Sequence, residues 1–224
     1  MVQIPLILTP ASKLAGDPDR DKTAMNGAPG GGGGADAKVR PAIRTVAVIG
    51  AGRVGRSFAL AAAAAGFDVV LEDVMPANLR RAQEEYADLG AEHAGARGRL
   101  TVAATIEDAV READVAVDFV PDELESKLEI FCLLDRMAPP RTILLTPSDA
   151  QSITDLASCT YRGERCFAVR GGFGAVGAGP VRLLHPVGAA EAALDAVSGF
   201  LRALGGEVRV ELDGDAPKLV KKLG

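Results

Sequence analysis

The chain has 224 residues and a net charge of −5. Because 48% of its residues are apolar but only 4% are aromatic, its one sizeable core must be built mainly from Ala, Val and Leu. The acidic balance and the lack of a basic stripe argue against nucleic acid as the main partner. No run of about eighteen apolar residues occurs, and the first ten residues lack the basic start of a signal peptide, so we expect a cytoplasmic protein that does not enter a membrane.

Residues 1–43 differ in composition from the rest of the chain. They contain Gly-Asp-Pro-Asp, Asn-Gly and a run of glycines, Gly30–Gly34, with little apolar periodicity after Leu8. Such a segment buries too little apolar surface to offset its conformational entropy. We expect a flexible arm over residues 1–43, in which Val2–Leu8 either docks as a strand or partner peptide or has no role, and one folded domain over residues 44–224.

The first folded unit predicted is a strand, a turn and a helix. The strand is Val46–Ile49, an apolar run with β-branched residues. The glycines after it, Gly50, Gly52 and Gly55, have G-x-G-x-x-G spacing and open an alanine-rich helix. In this arrangement the first glycine permits the tight turn, the second lets the backbone approach a pyrophosphate, and the third lets helix and strand pack closely. The helix directs its N-terminal amides at the phosphates.

The second predicted strand, Phe67–Leu71, leads to two acids. Asp73 lies 23 residues after Gly50 (73 − 50), which is where an acid binds the ribose 2′-hydroxyl. Glu72 would take this role if the strand ended one residue earlier. An acid here repels a 2′-phosphate, so the spacing predicts NAD rather than NADP. A helix–sheet turn that binds nothing is the alternative.

Helix and strand patterns alternate after this unit and predict a doubly wound, mostly parallel α/β sheet of the Rossmann type, to which the C-terminal part adds further strands. The predicted helices are Pro76–Tyr86, one begun by a capping box at Thr105, Asp122–Met137, Ser152–Ser158 and Ala189–Leu204. The predicted strands are Leu100–Ala103, Val115–Val120, Thr142–Thr146, Arg165–Arg170, Val181–Leu184 and Glu207–Leu212.

The three cysteines have neither disulfide-framework nor metal-ligand spacing. Cys132 stands among apolar residues and is expected in the core, whereas Cys159 and Cys166 flank a polar turn and could approach each other across it. His93 and His185 do not complete a zinc ligand set with them, so we expect no metal site. His185, beside a proline at a predicted strand end, is either a surface turn residue or a new base.

Three phrases carry a resemblance to a known family: VAVIGAGRVGRSFALAAAAAGFDVVLED, EADVAVDFVPDELESKLEIFCLLDRMAPPRTILLT and QSITDLA. Together with the order of elements, they resemble the NAD-binding domain of the 3-hydroxyacyl-CoA dehydrogenase family over roughly residues 44–223. The resemblance implies NAD as cofactor and, for the family, hydride transfer between the hydroxyl-bearing carbon of an acyl-CoA and NAD. The family's second, helical domain would begin where this chain ends.

The resemblance also implies which residues bind the cofactor. They are Gly50, Gly52, Arg53, Val54 and Gly55 in the glycine turn, Asp73 at the adenosine ribose, and Asp118 and Lys127 towards the nicotinamide. At Asp118 the family has Glu. Two interpretations of Arg53 are possible: it helps to bind the pyrophosphate, or it points to solvent.

None of the family's catalytic residues is kept. The family's catalytic His falls on Arg170, and the Glu that holds this His falls on Arg182. The family's Ser falls on Asp149, and its late Asn falls on Lys222. Arginine does not lose its proton in proteins, so Arg170 cannot act as a general base. The family's dehydrogenase mechanism is therefore expected to be lost.

The replacements suggest a cationic patch of Arg170, Arg182 and Lys222 near Asp149, in which the two arginines repel each other. The patch either holds a small anion, a carboxylate or phosphate, through charge-assisted hydrogen bonds, or is simply solvated. Two hypotheses follow. The chain is a catalytically silent NAD(H)-binding protein, or it is an NAD-dependent oxidoreductase that acts on a small hydroxyacyl or hydroxy-acid substrate with other residues or with a partner chain. An exposed apolar cleft would favour a homodimer or a partner protein.

Overall fold

The computed structural model describes residues 43–89, 97–171, 180–215 and 219, all within one compact unit, Val39–Gly224. The arm predicted over residues 1–43 lies outside this range except for Ile43. Ile43 packs against the hydrophobic core. His93 and Lys222 also lie outside the described residues.

Eight strands form one sheet in the order β3-β2-β1-β4-β5-β6-β7-β8. Every pair of neighbours is parallel except β6–β7, which is antiparallel. The strands are β1 (Thr45–Ile49), β2 (Asp68–Glu72), β3 (Leu100–Val102), β4 (Val115–Asp118), β5 (Ile143–Pro147), β6 (Cys166–Arg170), β7 (Val181–His185) and β8 (Val208–Leu212). The predicted Rossmann-type, mostly parallel sheet is confirmed.

Helices cover both faces of this sheet. They are α1 (Arg53–Ala64), α2 (Pro76–Asp88), α3 (Ile106–Val110), α4 (Leu124–Met137), α5 (Ile153–Ser158) and α6 (Glu191–Ala203). The predicted cap of α3 is confirmed, because Thr105 Oγ1 accepts a hydrogen bond from the backbone N of Asp108 at 3.1 Å. A short 3₁₀ turn, Gly163–Arg165, precedes β6 and was not predicted.

Alternation along the strands divides the core into two layers. In β1, Val46 and Val48 pack in one layer with residues of α1 and α6, whereas Ala47 and Ile49 pack in the other with residues of α3 and α4. We call these the α1 face and the α4 face. Because both faces are covered, β1 and β4 are apolar almost throughout, as the sequence suggested.

The expectation that Cys132 lies in the core is wrong. Phe131 is fully buried on the inner side of α4, and the next residue is turned about 100° around the helix, which leaves Cys132 exposed. Cys132 Sγ lies 3.8 Å from the backbone oxygen of Cys159, which is also exposed, whereas Cys166 is buried. Cys132 therefore approaches Cys159, a contact that the sequence did not indicate.

Among the described residues, no helix is both long and apolar enough to cross a membrane.

Candidate cofactor site

The glycine turn stands at the carboxyl end of β1, between β2 and β4. Gly50 adopts a φ of +98°, which is strained for other residues, and its backbone N donates a hydrogen bond to Glu72 O at 2.8 Å. A Cβ atom on Gly50 would lie 3.2 Å from the backbone oxygen of Phe119, just after β4. The turn is therefore held against both neighbouring strands.

The other two glycines differ in what surrounds them. A Cβ atom on Gly55 would lie 1.9 Å from Gly50 O, so only glycine lets α1 pack this closely on the turn. A Cβ atom on Gly52, the N-cap of α1, would meet nothing within 4 Å. The space above Gly52 is thus open where the amides of the first helical turn point, and this geometry suits a pyrophosphate.

Asp73 follows β2 and reaches back to the glycine turn. Its Oδ2 accepts hydrogen bonds from Ala51 N at 2.6 Å and from Asn78 Nδ2 at 3.1 Å, and its Oδ1 accepts one from Met75 N at 2.6 Å. The carboxylate is half-buried beside the turn. Because β2 ends at Glu72, one residue later than predicted, Asp73 and not Glu72 is the first residue beyond the strand.

Arg53 and Val54 are both exposed on the first turn of α1. The arginine that does contact the glycine turn is Arg56, which sequence reasoning missed. It donates to Ala51 O at 3.4 Å and forms a two-oxygen contact with Glu85 of α2 at 2.9–3.0 Å. The pair braces α1 against α2 behind the turn.

Asp118 and Lys127 lie together, as a fully buried ion pair. Lys127 Nζ donates to Asp118 Oδ1 at 2.7 Å and to Pro147 O at 3.1 Å. Burial raises the pKa of Asp118, although Lys127 opposes this shift. Asp118 Oδ2 and the nearby Thr146 Oγ1 are buried without a hydrogen bond of ordinary geometry. The pair fixes the ends of β4 and β5 and exposes neither charge.

Arg170 and Arg182 are directly paired across β6 and β7, but each has its own acidic partner. Arg170 Nη2 lies 2.6 Å from Asp215 Oδ2, and the same guanidinium donates to the backbone oxygens of Ser148 and Gln151. Arg182 binds Glu211 of β8 through two nitrogens, at 2.6 and 2.9 Å. The predicted patch is therefore not a set of unpaired cations in the described part of the chain.

The remaining predicted catalytic position, Asp149, is exposed at the end of β5. Its backbone N donates to Asp122 Oδ2 at 3.0 Å, and Ser148 Oγ donates to the other oxygen of Asp122. Asp122 thereby ties the loop after β4 to the loop after β5, a role that the sequence did not indicate.

A second missed acid fastens the segment after β8. Asp213 Oδ2 accepts from Ser152 Oγ at 2.7 Å and from Thr154 N at 2.8 Å, at the start of α5. Burial alone would raise the pKa of Asp213, but these hydrogen bonds more than offset it, so the pKa is lowered. The segment that carries Asp215 is thus positioned beside Arg170.

Comparisons with known proteins agree with this geometry. The profile described as 3-hydroxyacyl-CoA dehydrogenase, NAD binding domain, matches residues 45–170. The chain is 34% identical over 134 residues to a probable 3-hydroxybutyryl-CoA dehydrogenase of Bacillus subtilis, covering 55% of this chain and 46% of that protein. It is 30% identical over 182 residues to the 3-hydroxybutyryl-CoA dehydrogenase of Bradyrhizobium diazoefficiens, covering 76% and 62%.

The fold also matches a solved structure, the (S)-3-hydroxybutyryl-CoA dehydrogenase of Ralstonia eutropha, with a TM-score of 0.70 and 23% identity over 80% of this chain and 66% of that one. The chain spans about half to two thirds of the length of these relatives. The glycine turn, the open space above Gly52 and the acid after β2 fit NAD, the cofactor of the matched domain. The chain belongs to the 3-hydroxyacyl-CoA dehydrogenase family, whose NAD-binding domain it contains.

Proposed function

We propose that this chain binds NAD(H) at the glycine turn and Asp73 and does not oxidise hydroxyacyl substrates by the His/Glu mechanism of its family. The glycine turn provides the phosphate site, and the Asp73 carboxylate provides the ribose acceptor. These features support binding and do not depend on any catalytic residue.

The observation that carries the second half of the proposal is the environment of Arg170. Its guanidinium stands at the family's base position, contacts two backbone oxygens and an aspartate, and is only 15% exposed. Arginine does not lose its proton in proteins and so cannot accept one from a hydroxyl group. His185, the one histidine in the described residues, has its Nδ1 3.1 Å from the oxygen of Pro186.

The test combines binding and turnover. Because the chain has no Trp, enhancement of NADH fluorescence reports binding directly, and calorimetry gives the affinity. Gly52→Ala should abolish NADH binding without unfolding the protein, since its Cβ meets only the open space that the phosphates need. Gly199→Ala is the matched control: it also adds a methyl group in open space, but on the outer side of α6, and should leave binding unchanged.

Turnover measurements distinguish the two hypotheses that the sequence suggested, a catalytically silent NAD(H)-binding protein and an NAD-dependent oxidoreductase. Formation of NADH at 340 nm from (S)-3-hydroxybutyryl-CoA and from short hydroxy acids should stay at background in the wild type. A rate that is lost in Gly52→Ala would instead favour an NAD-dependent oxidoreductase that uses other residues or a partner chain. Failure of the wild type to bind NADH would overturn the proposal altogether.

A further inference from the structure

Three side chains form a row across the carboxyl ends of neighbouring strands. Ile49 of β1 is paired with Glu72 of β2 on one side and with Asp118 of β4 on the other. Paired residues of neighbouring strands point to the same side of a sheet. Because Ile49 packs with residues of α3 and α4, the row lies on the α4 face, whereas the phosphate-binding helix α1 covers the opposite face.

The two acids of this row, Glu72 and Asp118, have different surroundings. Asp118 has Lys127 as a buried counter-ion. Glu72 is only 7% exposed, and its carboxylate has no hydrogen bond or ion pair with any described residue. Burial, and then the like charge of Asp73, raise the pKa of Glu72. A carboxylate that is largely removed from water and has no donor from the described residues is stabilised by a donor that a ligand supplies.

The position of Glu72 indicates which part of a dinucleotide could supply that partner. Asp73, the next residue, is the ribose acceptor of the proposed site. Both residues stand at the carboxyl end of β2, the end of an open α/β sheet at which dinucleotides bind. Asp73 contacts the glycine turn, whereas Glu72 lies on the α4 face, so a base that extends from the ribose towards that face comes within reach of Glu72. Adenine carries an exocyclic amino group, a hydrogen-bond donor, and an ionised carboxylate is purely an acceptor.

We propose that Glu72 accepts a hydrogen bond from the amino group of the adenine base and so selects adenine dinucleotides over those with an oxo group at the same carbon. The inference rests on the proposed NAD binding and deepens it, because it assigns a determinant of base specificity to a residue outside the glycine turn and the ribose acid.

The experiment compares NADH with reduced nicotinamide hypoxanthine dinucleotide, in which an oxo group replaces the amino group, by calorimetry at about pH 8. The wild type should bind NADH at least about tenfold more tightly, the equivalent of one hydrogen bond to a charged group. In Glu72→Gln, which has the same shape, the amide can turn either its oxygen or its NH₂ to the base, so the ratio should fall to about twofold or less. Glu107→Gln, an exposed acid on α3, should keep the wild-type ratio.

A merely structural role of Glu72 would change both affinities equally and leave their ratio intact. Equal affinity of the wild type for the two dinucleotides, or an unchanged ratio in Glu72→Gln, would overturn this inference while NAD binding stands. A wild type that binds neither dinucleotide would overturn NAD binding itself, and the role of Glu72 with it.

Discussion

Arg170 and Arg182 face each other across the one antiparallel strand pair of the described sheet, and each guanidinium is bound by a carboxylate from beyond that pair. The acid for Arg182 comes from β8, and the acid for Arg170 comes from the segment just after it. Two like charges can therefore remain neighbours without being unpaired. Asp215 and Glu211 would likewise be the neighbours of residues substituted at positions 170 and 182.

Restoring the family's residues with Arg170→His and Arg182→Glu should not produce hydroxyacyl-CoA oxidation. The new glutamate would lie against Glu211, and the new imidazole would pair with Asp215 as readily as with that glutamate. We expect NADH formation from (S)-3-hydroxybutyryl-CoA to stay at the wild-type background while NADH binding persists. A clear rate in the double variant would show that positions 170 and 182 suffice for proton transfer in this chain.

Asp73→Ala should weaken NADH binding by about 1–3 kcal/mol, because the ribose hydroxyls and Ala51 N lose their acceptor. Calorimetry measures the change. Asp68→Ala is a suitable control, since Asp68 is at the opposite end of β2 and bonds to Arg99 instead. Unchanged affinity in Asp73→Ala would mean that another group binds the ribose.

Lys127→Met should destabilise the fold by about 3–5 kcal/mol, because it leaves the Asp118 carboxylate buried without a counter-ion. The double variant with Asp118→Leu should recover much of this loss, since both charges are then absent. Urea unfolding at neutral pH measures both effects. If the double variant were destabilised by the sum of the two single variants, the ion pair would not be coupled as the geometry indicates.

Glu72→Gln should raise the melting temperature of the free protein at about pH 7 and have little effect at about pH 4. The folded-state pKa of Glu72 lies above its ordinary value of 4.5, because of burial and then Asp73. Between the two values the folded chain keeps a proton that the unfolded chain has lost, so stability falls as the pH rises through this interval. A pH-independent difference between variant and wild type would contradict this assignment.

Cys132 and Cys159 should react with a disulfide reagent such as DTNB in the native protein, and Cys166 should react only after unfolding. The first two are exposed, whereas burial raises the pKa of Cys166 to about 12 and leaves it almost entirely protonated. Native Cys132→Ser/Cys159→Ser protein should therefore show no fast thiol. Fast labelling of that variant would place Cys166 at the surface.

The sequence predicted the nucleotide half of the fold well because that half is specified locally. The order of apolar strand, three glycines, helix and acid fixes β1, α1 and Asp73 within one short stretch. Most strand ends differ from the prediction by one or two residues, since hydrogen bonding to neighbouring strands, and not residue type, decides where a strand ends. The shift in β2 is of this kind, and it makes Glu72 the last residue of the strand.

The partners of the site residues could not be predicted in the same way. Asp215 is 45 positions from Arg170, and Glu211 is 29 positions from Arg182, so only the sheet order brings them together. Cys132 shows a different error. Its apolar neighbours in the sequence suggested burial, but consecutive residues of a helix point in different directions, and Cys132 points to solvent. Pairing across elements and direction around a helix both require the three-dimensional structure.

The carboxylate of Asp213 makes the far edge of the sheet sensitive to acid. It accepts hydrogen bonds from Ser152 and Thr154 while ionised, and its folded-state pKa lies below the ordinary 3.8. The stabilisation that Asp213 provides is complete above the ordinary value of 3.8, and it is lost as the pH falls through the lower folded-state pKa. In strong acid the segment after β8 would detach from α5 and release Asp215 from Arg170.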